Sequence, residues 1–392
     1  MILRNVGALV GGDLEYVQST DIRITRGRFG AVRPGQAGPG AADCEGLLAM
    51  PGLVNAHTHI GDSIAKDAAP RGTVDDKIHP VHGAKARILS RTRPEHLAAF
   101  MRNSCISMIR GGTTAFADFR EGGPAGIALA KRALAGLPIR RRILGRAGLY
   151  QDWGQIGRDE GFPRGRRAEL DRVLRECDGL GISGANENSD SVLRSYSRTK
   201  KLRAIHSSET EQSIAASRAH TKRSEAARAL QLRPHFMVHM THASRADLRA
   251  VARSCGIVVC PRANAALAEG IPDIHMMLKE GCRVAIGTDN VMVNPPDMFR
   301  EMDYLWKVTM AVHKKRIDPR EILQMATVNG GSMLGLGAGP IEAGMLADCI
   351  LIEKHSIDLE PLHDPHAAIV HRASAGSVRA VIIGGRIAHG RI

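Results

Sequence analysis

Hydrophobic positions along this chain follow two patterns that alternate through its central part. Short apolar runs are typical of buried strands, and longer segments with apolar residues every three or four positions are typical of amphipathic helices. The segment from Pro94 to Gly111 shows the second pattern, with a proline in its first turn and a glycine at its end. Residues 113–119 return to the first pattern. Continued along the chain, the alternation predicts eight strand–helix pairs within residues 51–339.

This alternation predicts an α/β protein, and the count of eight pairs favours a (β/α)8 TIM barrel. An open, doubly wound sheet is the alternative. It is expected to carry a glycine-rich phosphate-binding turn after its first strand, and no G-x-G-x-x-G motif occurs there. The ends of the chain differ from its centre, because residues 1–50 and 340–392 hold short β-type runs separated by turns rich in glycine. We therefore predict a barrel over residues 51–339 and β-structure from both termini.

A length of 392 residues is sufficient for one large hydrophobic core and a smaller accessory unit. The net charge of +14 invites a nucleic-acid partner, but the basic residues are spread over the whole chain and only 3% of residues are aromatic, so none is predicted. No apolar run approaches the length of a membrane span, and Arg4 and Asp13 argue against a secretion signal. The seven cysteines are scattered without a Cys-x-x-Cys pair, so we expect reduced thiols and a cytoplasmic protein.

Side chains with metal-binding chemistry stand at the ends of four predicted strands. His57-Thr58-His59 follows the apolar strand predicted over residues 48–56, and both imidazoles point one way because alternate strand residues share a face. His206, His239 and Asp289 end three further apolar runs, and Glu209 follows the first of them. Each residue alone is compatible with an ordinary loop or helix cap. Together they indicate a transition-metal site, because the carboxyl ends of barrel strands meet at one mouth.

These residues and their surroundings resemble the amidohydrolase superfamily, specifically its mononuclear branch of aminohydrolases, which includes nucleoside and nucleobase deaminases and related chlorohydrolases. The resemblance covers essentially the whole chain and rests on Met50-Pro-Gly-Leu-Val-Asn-Ala-His-Thr-His59, His206-Ser-Ser-Glu209, Val238-His239, Gly287-Thr-Asp-Asn290, Ala326-Thr-Val-Asn-Gly330 and Ile341-Glu-Ala-Gly-Met-Leu-Ala-Asp348. It implies a barrel flanked by a small β-sandwich that is built from residues 1–50 and 340–392.

The resemblance also implies the roles of the site residues. One divalent metal ion, Zn²⁺ in preference to Fe²⁺, would be held by His57, His59, His206 and Asp289, with one position left for a water whose pKa falls to about 7. Asp289 would also accept the proton of this water, Glu209 would pass a proton to a ring nitrogen of the substrate, and His239 would orient the attacking group. The predicted fourth strand lacks the lysine of binuclear relatives, which favours a single metal.

Within this family, His-x-x-Glu is typical of deaminases that act on a C=N–NH₂ group. We therefore predict a metal-dependent hydrolase that removes ammonia from a nucleobase, a nucleoside or a related N-heterocycle. Candidates for binding this small heterocyclic substrate lie on loops after the strands: His79, Arg120, Glu121, Trp153, Asn186, Arg262 and Asn264. The loop Gly61-Asp62-Ser63 departs from the apolar run common in deaminases, which argues against a purine nucleoside as the substrate.

Two other interpretations stay open at this point. The same scaffold can open a cyclic amide or displace another leaving group, and a protein of this fold can bind ligands without turnover. The presence of Glu209 favours a deaminase over the first, and the complete ligand set argues against the second. The sequence does not determine the oligomeric state, for which a homodimer is the commonest arrangement.

Overall fold

The computed structural model describes residues 1–68, 71–78 and 83–392, and these residues form two sheets with helices between and after the strands. The strands are β1 (Ile2–Val10), β2 (Glu15–Thr25), β3 (Arg28–Val32), β4 (Ala41–Asp43), β5 (Leu47–Pro51), β6 (Leu53–His59), β7 (Thr113–Arg120), β8 (Arg140–Gly145), β9 (Gly179–Ile182), β10 (Leu202–Ser207), β11 (Phe236–His239), β12 (Gly256–Val259), β13 (Val284–Ile286), β14 (Asp289–Asn290), β15 (Cys349–Glu353), β16 (Val378–Ile383) and β17 (Arg386–Gly390).

The helices lie mostly between the strands of the central part. They are α1 (Val74–Ile78), α2 (Ala84–Arg91), α3 (Pro94–Arg110), α4 (Gly123–Ala133), α5 (Trp153–Gly157), α6 (Arg164–Glu176), α7 (Asp190–Tyr196), α8 (Glu211–Thr221), α9 (Glu225–Ala229), α10 (Arg245–Ala252), α11 (Pro261–Ala266), α12 (Ile274–Lys279), α13 (Met298–His313), α14 (Pro319–Met325), α15 (Val328–Leu334) and α16 (Pro365–His371). In the part of the chain that the structure describes, none of these helices is both long and apolar enough to cross a membrane.

The central sheet is parallel and curled, with the strand order β13-β12-β11-β10-β9-β8-β7-β6-β14. Its two outermost strands, β13 and β14, are separated in sequence only by Gly287 and Thr288, so both ends of the sheet belong to one short segment. The backbone N–H of Thr288 donates to the carbonyl oxygen of His57 at 3.1 Å and to Oδ1 of Asn55 at 3.0 Å, which fastens this segment to β6. Such pairing is incompatible with the open, doubly wound alternative.

Apolar side chains fill the curled sheet from inside and cover it from outside. On β11, Phe236 and Val238 pack in the inner cluster, whereas Met237 packs against the surrounding helices, as the two-residue period of a strand requires. Val54 and Ala56 of β6 belong to the same inner cluster. The apolar core therefore fills the inside of the sheet below the carboxyl-terminal ends of the strands.

Both termini contribute to the second sheet, as the β-type runs at the two ends predict. Its order is β17-β16-β15-β5-β1-β2-β3, with β4 beside β1, and parallel and antiparallel pairs are mixed. The single strand predicted over residues 48–56 is wrong in one respect, because the chain leaves β5 at Gly52 and enters the central sheet as β6. A side chain at Gly52 would meet Thr114 Oγ1, so this change of sheet needs glycine for a close approach of two segments.

Candidate metal centre and active-site cavity

Side chains from four different strands or strand ends meet at the carboxyl-terminal mouth of the central sheet. His57, His206, His239 and Asp289 each present one ligand atom, and these atoms all lie within 4.8 Å of one another. Nε2 of His57 lies 3.1 Å from Oδ1 of Asp289 and 3.3 Å from Nε2 of His206. His59 stands beside this cluster, with Nε2 3.4 Å from the same carboxylate oxygen. The structure therefore brings the four residues predicted as ligands, His57, His59, His206 and Asp289, close together. It also places His239 within the same cluster.

A bulge in β6 turns His57 and His59 toward the cluster. Between the residue pairs Asn55–Phe116 and Thr58–Asp118, β6 has one residue more than β7. An extra residue reverses the alternation of side chains beyond it. Without the bulge, the inward positions that include Val54 and Ala56 would leave both histidines on the outer face. The bulge is therefore the local feature that delivers both imidazoles to the mouth.

Left-handed backbone angles orient two other members of the cluster. His239 has a φ of 72° and Asp289 a φ of 59°, a region that residues other than glycine seldom adopt. Val238 already faces inward, so regular alternation would turn the next side chain outward. Backbone conformations of this kind cost about 1–3 kcal/mol and are concentrated at functional sites. Strain at both residues supports a role that packing alone does not require.

Hydrogen bonds at the outer ring nitrogen orient three of the histidines. Nδ1 of His206 lies 3.1 Å from the carbonyl oxygen of Ile182, and Nδ1 of His59 lies 3.1 Å from Oε1 of Glu121. Nδ1 of His239 lies 3.4 Å from Oδ1 of Asn264. An acceptor at Nδ1 favours the tautomer with its proton there and leaves the lone pair of Nε2 directed into the cluster. This is the arrangement of histidines that bind a metal.

The protonation states of the clustered histidines and of Asp289 are also suitable for binding a cation. Burial lowers the pKa of His57 to about 4, against the opposing effect of Asp289, and burial with the neighbouring histidines holds the pKa of His206 well below its ordinary value. Burial disfavours the Asp289 carboxylate, but the hydrogen bond from His57 and the adjacent imidazoles together lower its pKa. Oδ2 of Asp289 is buried without a hydrogen-bond partner. Neutral imidazoles around an ionised, incompletely satisfied carboxylate fit a divalent metal ion.

Glu209 stands next to this cluster with properties of a proton carrier. Its Oε2 lies 3.5 Å from Nε2 of His239, and its Oε1 is buried without a partner. Burial raises the pKa of Glu209 to about 7, with Asp289 adding to the effect and His239 opposing it. A carboxyl group with this pKa can give and take protons near neutral pH. The loop that carries it is held by Glu225, whose Oε2 accepts from the backbone N–H of Ser208 at 2.9 Å.

A cavity of about 460 Å³ opens above the cluster, a size within the usual range of small-molecule sites. His59, His206, Glu209, His239 and Asp289 form its floor. The lining above the floor combines apolar side chains with charged and hydroxyl groups; the apolar residues include Val74, Ile78, Leu89, Leu97, Met101 and Leu129, and the polar ones include Lys85, Arg120, Glu121, Arg146, Ser183 and Glu187.

An ionic network joins the floor of the cavity to its polar lining residues. Nζ of Lys85 is 2.7 Å from Oε1 of Glu121 and 3.4 Å from Oδ2 of Asp62, and Arg120 binds the second oxygen of Glu121. Burial favours the neutral amine of Lys85, but the two carboxylates raise its pKa above the ordinary value. Burial opposes the charge of Glu121 as well, but Lys85 and Arg120 keep its pKa well below the usual range. Lys85 and Glu121 are therefore both charged at neutral pH.

The residues predicted to bind substrate are distributed unevenly. Arg120 and Glu121 line the cavity, and Asn264 contacts His239 from behind. Trp153, Asn186 and Arg262 lie outside the lining: the first stacks on His220, the second donates to the carbonyl oxygen of Ser213, and the third pairs with Glu301. His79, like the nearby His82, lies outside the described residues.

Several residues that line the cavity are not predicted from the sequence. Lys85 belongs to α2, and the mixture of basic and apolar residues in this segment is typical of any exposed helix. Arg146 and Ser183 follow β8 and β9 directly, so their positions just after strand ends were the available signal. The apolar lining residues belong to α1, α2, α3 and α4, and the sequence does not determine how these helices pack around the mouth.

Comparison with known proteins agrees with this architecture. The Amidohydrolase family profile matches residues 48–388. A putative aminohydrolase of Methanothermobacter thermautotrophicus is 39% identical over 354 residues, covering 88% of this chain and 88% of the relative. A 5-methylthioadenosine/S-adenosylhomocysteine deaminase of Acetivibrio thermocellus is 31% identical over 367 residues, covering 88% of this chain and 82% of the relative.

Solved structures show the same overall fold at lower identity. An adenosine deaminase from Xanthomonas campestris with bound zinc superimposes with a TM-score of 0.83 at 22% identity, covering 98% of this chain and 92% of that one. An atrazine chlorohydrolase from Arthrobacter aurescens, complexed with zinc, gives a TM-score of 0.84 at 18% identity, covering 98% and 94%. The chain belongs to the amidohydrolase family.

Proposed function

We propose that this protein is a zinc-dependent deaminase that hydrolyses the exocyclic C–NH₂ bond of a nucleobase, a nucleoside or a related N-heterocycle. One observation carries the proposal: Glu209, with a pKa near 7, lies 3.5 Å from His239 beside the cluster of His57, His206 and Asp289. Relatives at 39% and 31% identity are named as an aminohydrolase and a deaminase, which supports the same reaction class.

The chain would have the barrel and the β-sandwich that are typical of the family. The eighth strand of a (β/α)8 barrel over residues 51–339 would consist of β13 and β14 together. Residues 1–50 and 340–392 would form a β-sandwich beside the barrel. The strand order of the central sheet and the contribution of both termini to the second sheet support this division.

One Zn²⁺ would be held by His57, His59, His206 and Asp289. Neutral imidazole nitrogens with a single carboxylate are a usual zinc ligand set, and the same donors also accept Fe²⁺. Zinc in two solved structures of the same fold supports the first choice. The bound metal would supply a water of pKa about 7, which allows attack by hydroxide near neutral pH.

The chain's own residues would move the protons. Asp289 would take a proton from the attacking water through Oδ2, the oxygen that lacks a partner. Glu209 would protonate the ring nitrogen as oxygen adds to the carbon of the C=N bond. The proton held by Asp289 would then pass to the leaving amine, and the proton of the added hydroxyl group would return to Glu209 as the carbonyl forms. His239, whose Nδ1 faces Asn264, would orient the attacking water by accepting a hydrogen bond at Nε2. Water is consumed, a C–O bond replaces the C–N bond, and ammonia leaves.

The test is ammonia release by protein of known metal content, with adenosine, 5-methylthioadenosine, S-adenosylhomocysteine, guanine and cytosine as substrates. Glu209→Gln keeps the shape but removes the proton carrier, so we expect turnover to fall by about 10²–10⁴-fold at unchanged metal content. His206→Ala is expected to lose the metal. Full activity of Glu209→Gln contradicts the proposed role. Metal-loaded protein that releases no ammonia would direct the search to other leaving groups.

A further inference from the structure

A second cavity, of about 490 Å³, lies at the opposite end of the central sheet from the metal cluster. It is formed where β10 to β13 begin, because Arg203 is the second residue of β10 and His235 and Arg283 immediately precede β11 and β13. The remaining lining residues are Leu230, Arg233, Pro234, Ser254, Ser332 and Met333. We call this space the basal cavity.

The basal cavity is lined by positive charge without compensation. Three of its lining residues are Arg203, Arg233 and Arg283, and none is an aspartate or a glutamate. Among the residues that the structure describes, no carboxylate pairs with Arg233 or Arg283. Burial and, to a smaller extent, the neighbouring Arg233 charge lower the pKa of Arg203. Arg233 and Arg283 are exposed, so an anion that enters the cavity would meet both guanidinium groups.

Two of the lining side chains, Arg203 and His235, are held by hydrogen bonds to the backbone. Nε of Arg203 donates to the carbonyl oxygens of Leu232, at 3.2 Å, and Arg233, at 2.9 Å, so its guanidinium plane is held in place. The backbone N–H of Arg203 donates to Nδ1 of His235 at 3.1 Å. Since Nδ1 is the acceptor, the neutral ring carries its proton on Nε2, which is therefore a donor. Guanidinium groups and an imidazole N–H match the acceptor oxygens of a phosphate.

We propose that the basal cavity binds a phosphate or polyphosphate group, either free or carried by a small phosphate ester. The volume accommodates a diphosphate, and the guanidinium groups of Arg233 and Arg283 would provide most of the binding. The site is separate from the cavity of the proposed deaminase, so the two can be tested independently. A bound anion would link the starts of strands whose other ends carry His206, His239 and Asp289.

The test measures binding of inorganic pyrophosphate and of ribose 5-phosphate to metal-loaded protein by calorimetry, with the metal content determined before and after. The test variant is R233Q/R283Q. The control is K315Q/R316Q, which removes two exposed charges outside the basal cavity. Circular dichroism verifies that each variant is folded. Arg203 is left unchanged because its bonds to backbone carbonyls support the fold.

We expect at least one probe to bind the wild-type protein and the control equally, and R233Q/R283Q to bind it at least about tenfold more weakly, since a charged hydrogen bond contributes more than one factor of ten. Preference for pyrophosphate identifies a free anion, and preference for ribose 5-phosphate identifies an ester. Absence of binding to the wild type overturns the proposal, as does equal binding by R233Q/R283Q, which would place the anion elsewhere.

Discussion

Glu121 connects a histidine of the metal cluster with a lysine from a distant helix. Its Oε1 lies 3.1 Å from Nδ1 of His59 and 2.7 Å from Nζ of Lys85. A carboxylate at the outer nitrogen fixes the ring orientation of a ligand histidine and makes its inner nitrogen more basic. The sequence predicts Glu121 as a substrate-binding residue, and this geometry supports a second role in positioning His59.

Replacing Glu121 by glutamine should therefore weaken metal binding. The Glu121→Gln side chain is expected to retain the shape but not the charge, and loss of such an outer partner commonly lowers metal affinity by about 10–100-fold. Competition with a chelator measures the dissociation constant. Glu187→Gln is the matched control, because Glu187 lines the same cavity and bonds with Ser183. Equal affinity in both variants would show that Glu121 does not position His59.

Glu301 is a buried carboxyl group whose ionisation should oppose folding. Burial raises its pKa to about 8, although Arg262 opposes the shift through its charge and its backbone hydrogen bond. The ordinary value is 4.5, so the folded state holds this proton more tightly than the unfolded state does. Its contribution to stability is complete below pH 4.5 and is lost as the pH rises toward 8.

Glu301→Gln removes this titration while keeping an oxygen for the N–H of Arg262. The free energy of unfolding of the wild type should fall relative to that of Glu301→Gln between about pH 5 and 8, by up to a few times the roughly 1.4 kcal/mol that each pKa unit represents. Urea denaturation at several pH values measures the difference. Parallel pH curves for the two proteins would contradict the assignment.

At the scale of the element, the junction between β13 and β14 determines where His57 and Asp289 meet. Gly287 lies against β6 so closely that a Cβ there would approach the backbone nitrogen of His57 to 2.8 Å and its oxygen to 2.9 Å. These are backbone atoms, which cannot rotate away as a flexible side chain can. The glycine therefore sets the separation of the two strands at the metal cluster.

Gly287→Ala should push β6 and β14 apart and damage the site together with the fold. Overpacking of this kind typically costs about 1–3 kcal/mol. Thermal unfolding and metal content are the measurements, and both are expected to decrease. Gly161→Ala is the control, since a Cβ there meets nothing within 4 Å. A variant that retains full metal content and wild-type stability would show that β6 tolerates the displacement.

These strands show which features of the fold and of the metal cluster can be predicted from the sequence alone. The alternation of patterns and the polar strand ends predict the strands and the residues of the metal cluster, because both depend on local order. The bulge in β6 and the left-handed angles at His239 and Asp289 have no local signature, since tertiary contacts impose them. The residues that line the cavity are likewise not predictable from the sequence. Lys85 reaches Glu121 only because α2 packs across the mouth, and Arg262 turns toward Glu301 instead.

At the scale of the whole molecule, an ion pair joins the two sheets. Arg140 begins β8 of the central sheet, and its Nη2 donates to Oδ1 of Asp348, just before β15, at 2.9 Å. Asp348 is buried and also accepts from the backbone N–H of Gly384 at 2.7 Å. Its carbonyl oxygen accepts from Gly52, the residue at which the chain changes sheets. Asp348 thus fixes how the terminal sheet is attached to the central one.

Arg140→Met should therefore destabilise the protein without affecting the metal cluster. It leaves a buried carboxylate without its cation, an effect of about 3–5 kcal/mol for fully buried pairs and smaller here because the side chain of Arg140 is 25% exposed. Arg132→Met is the control: Arg132 lies 3.9 Å from Glu95 and both are exposed, so a change below about 1 kcal/mol is expected. The double variant R140M/D348N should recover part of the loss, because it no longer buries a charge. Urea denaturation gives the three free energies, and equal losses in R140M and R132M would mean that the sheets are held together by apolar packing alone.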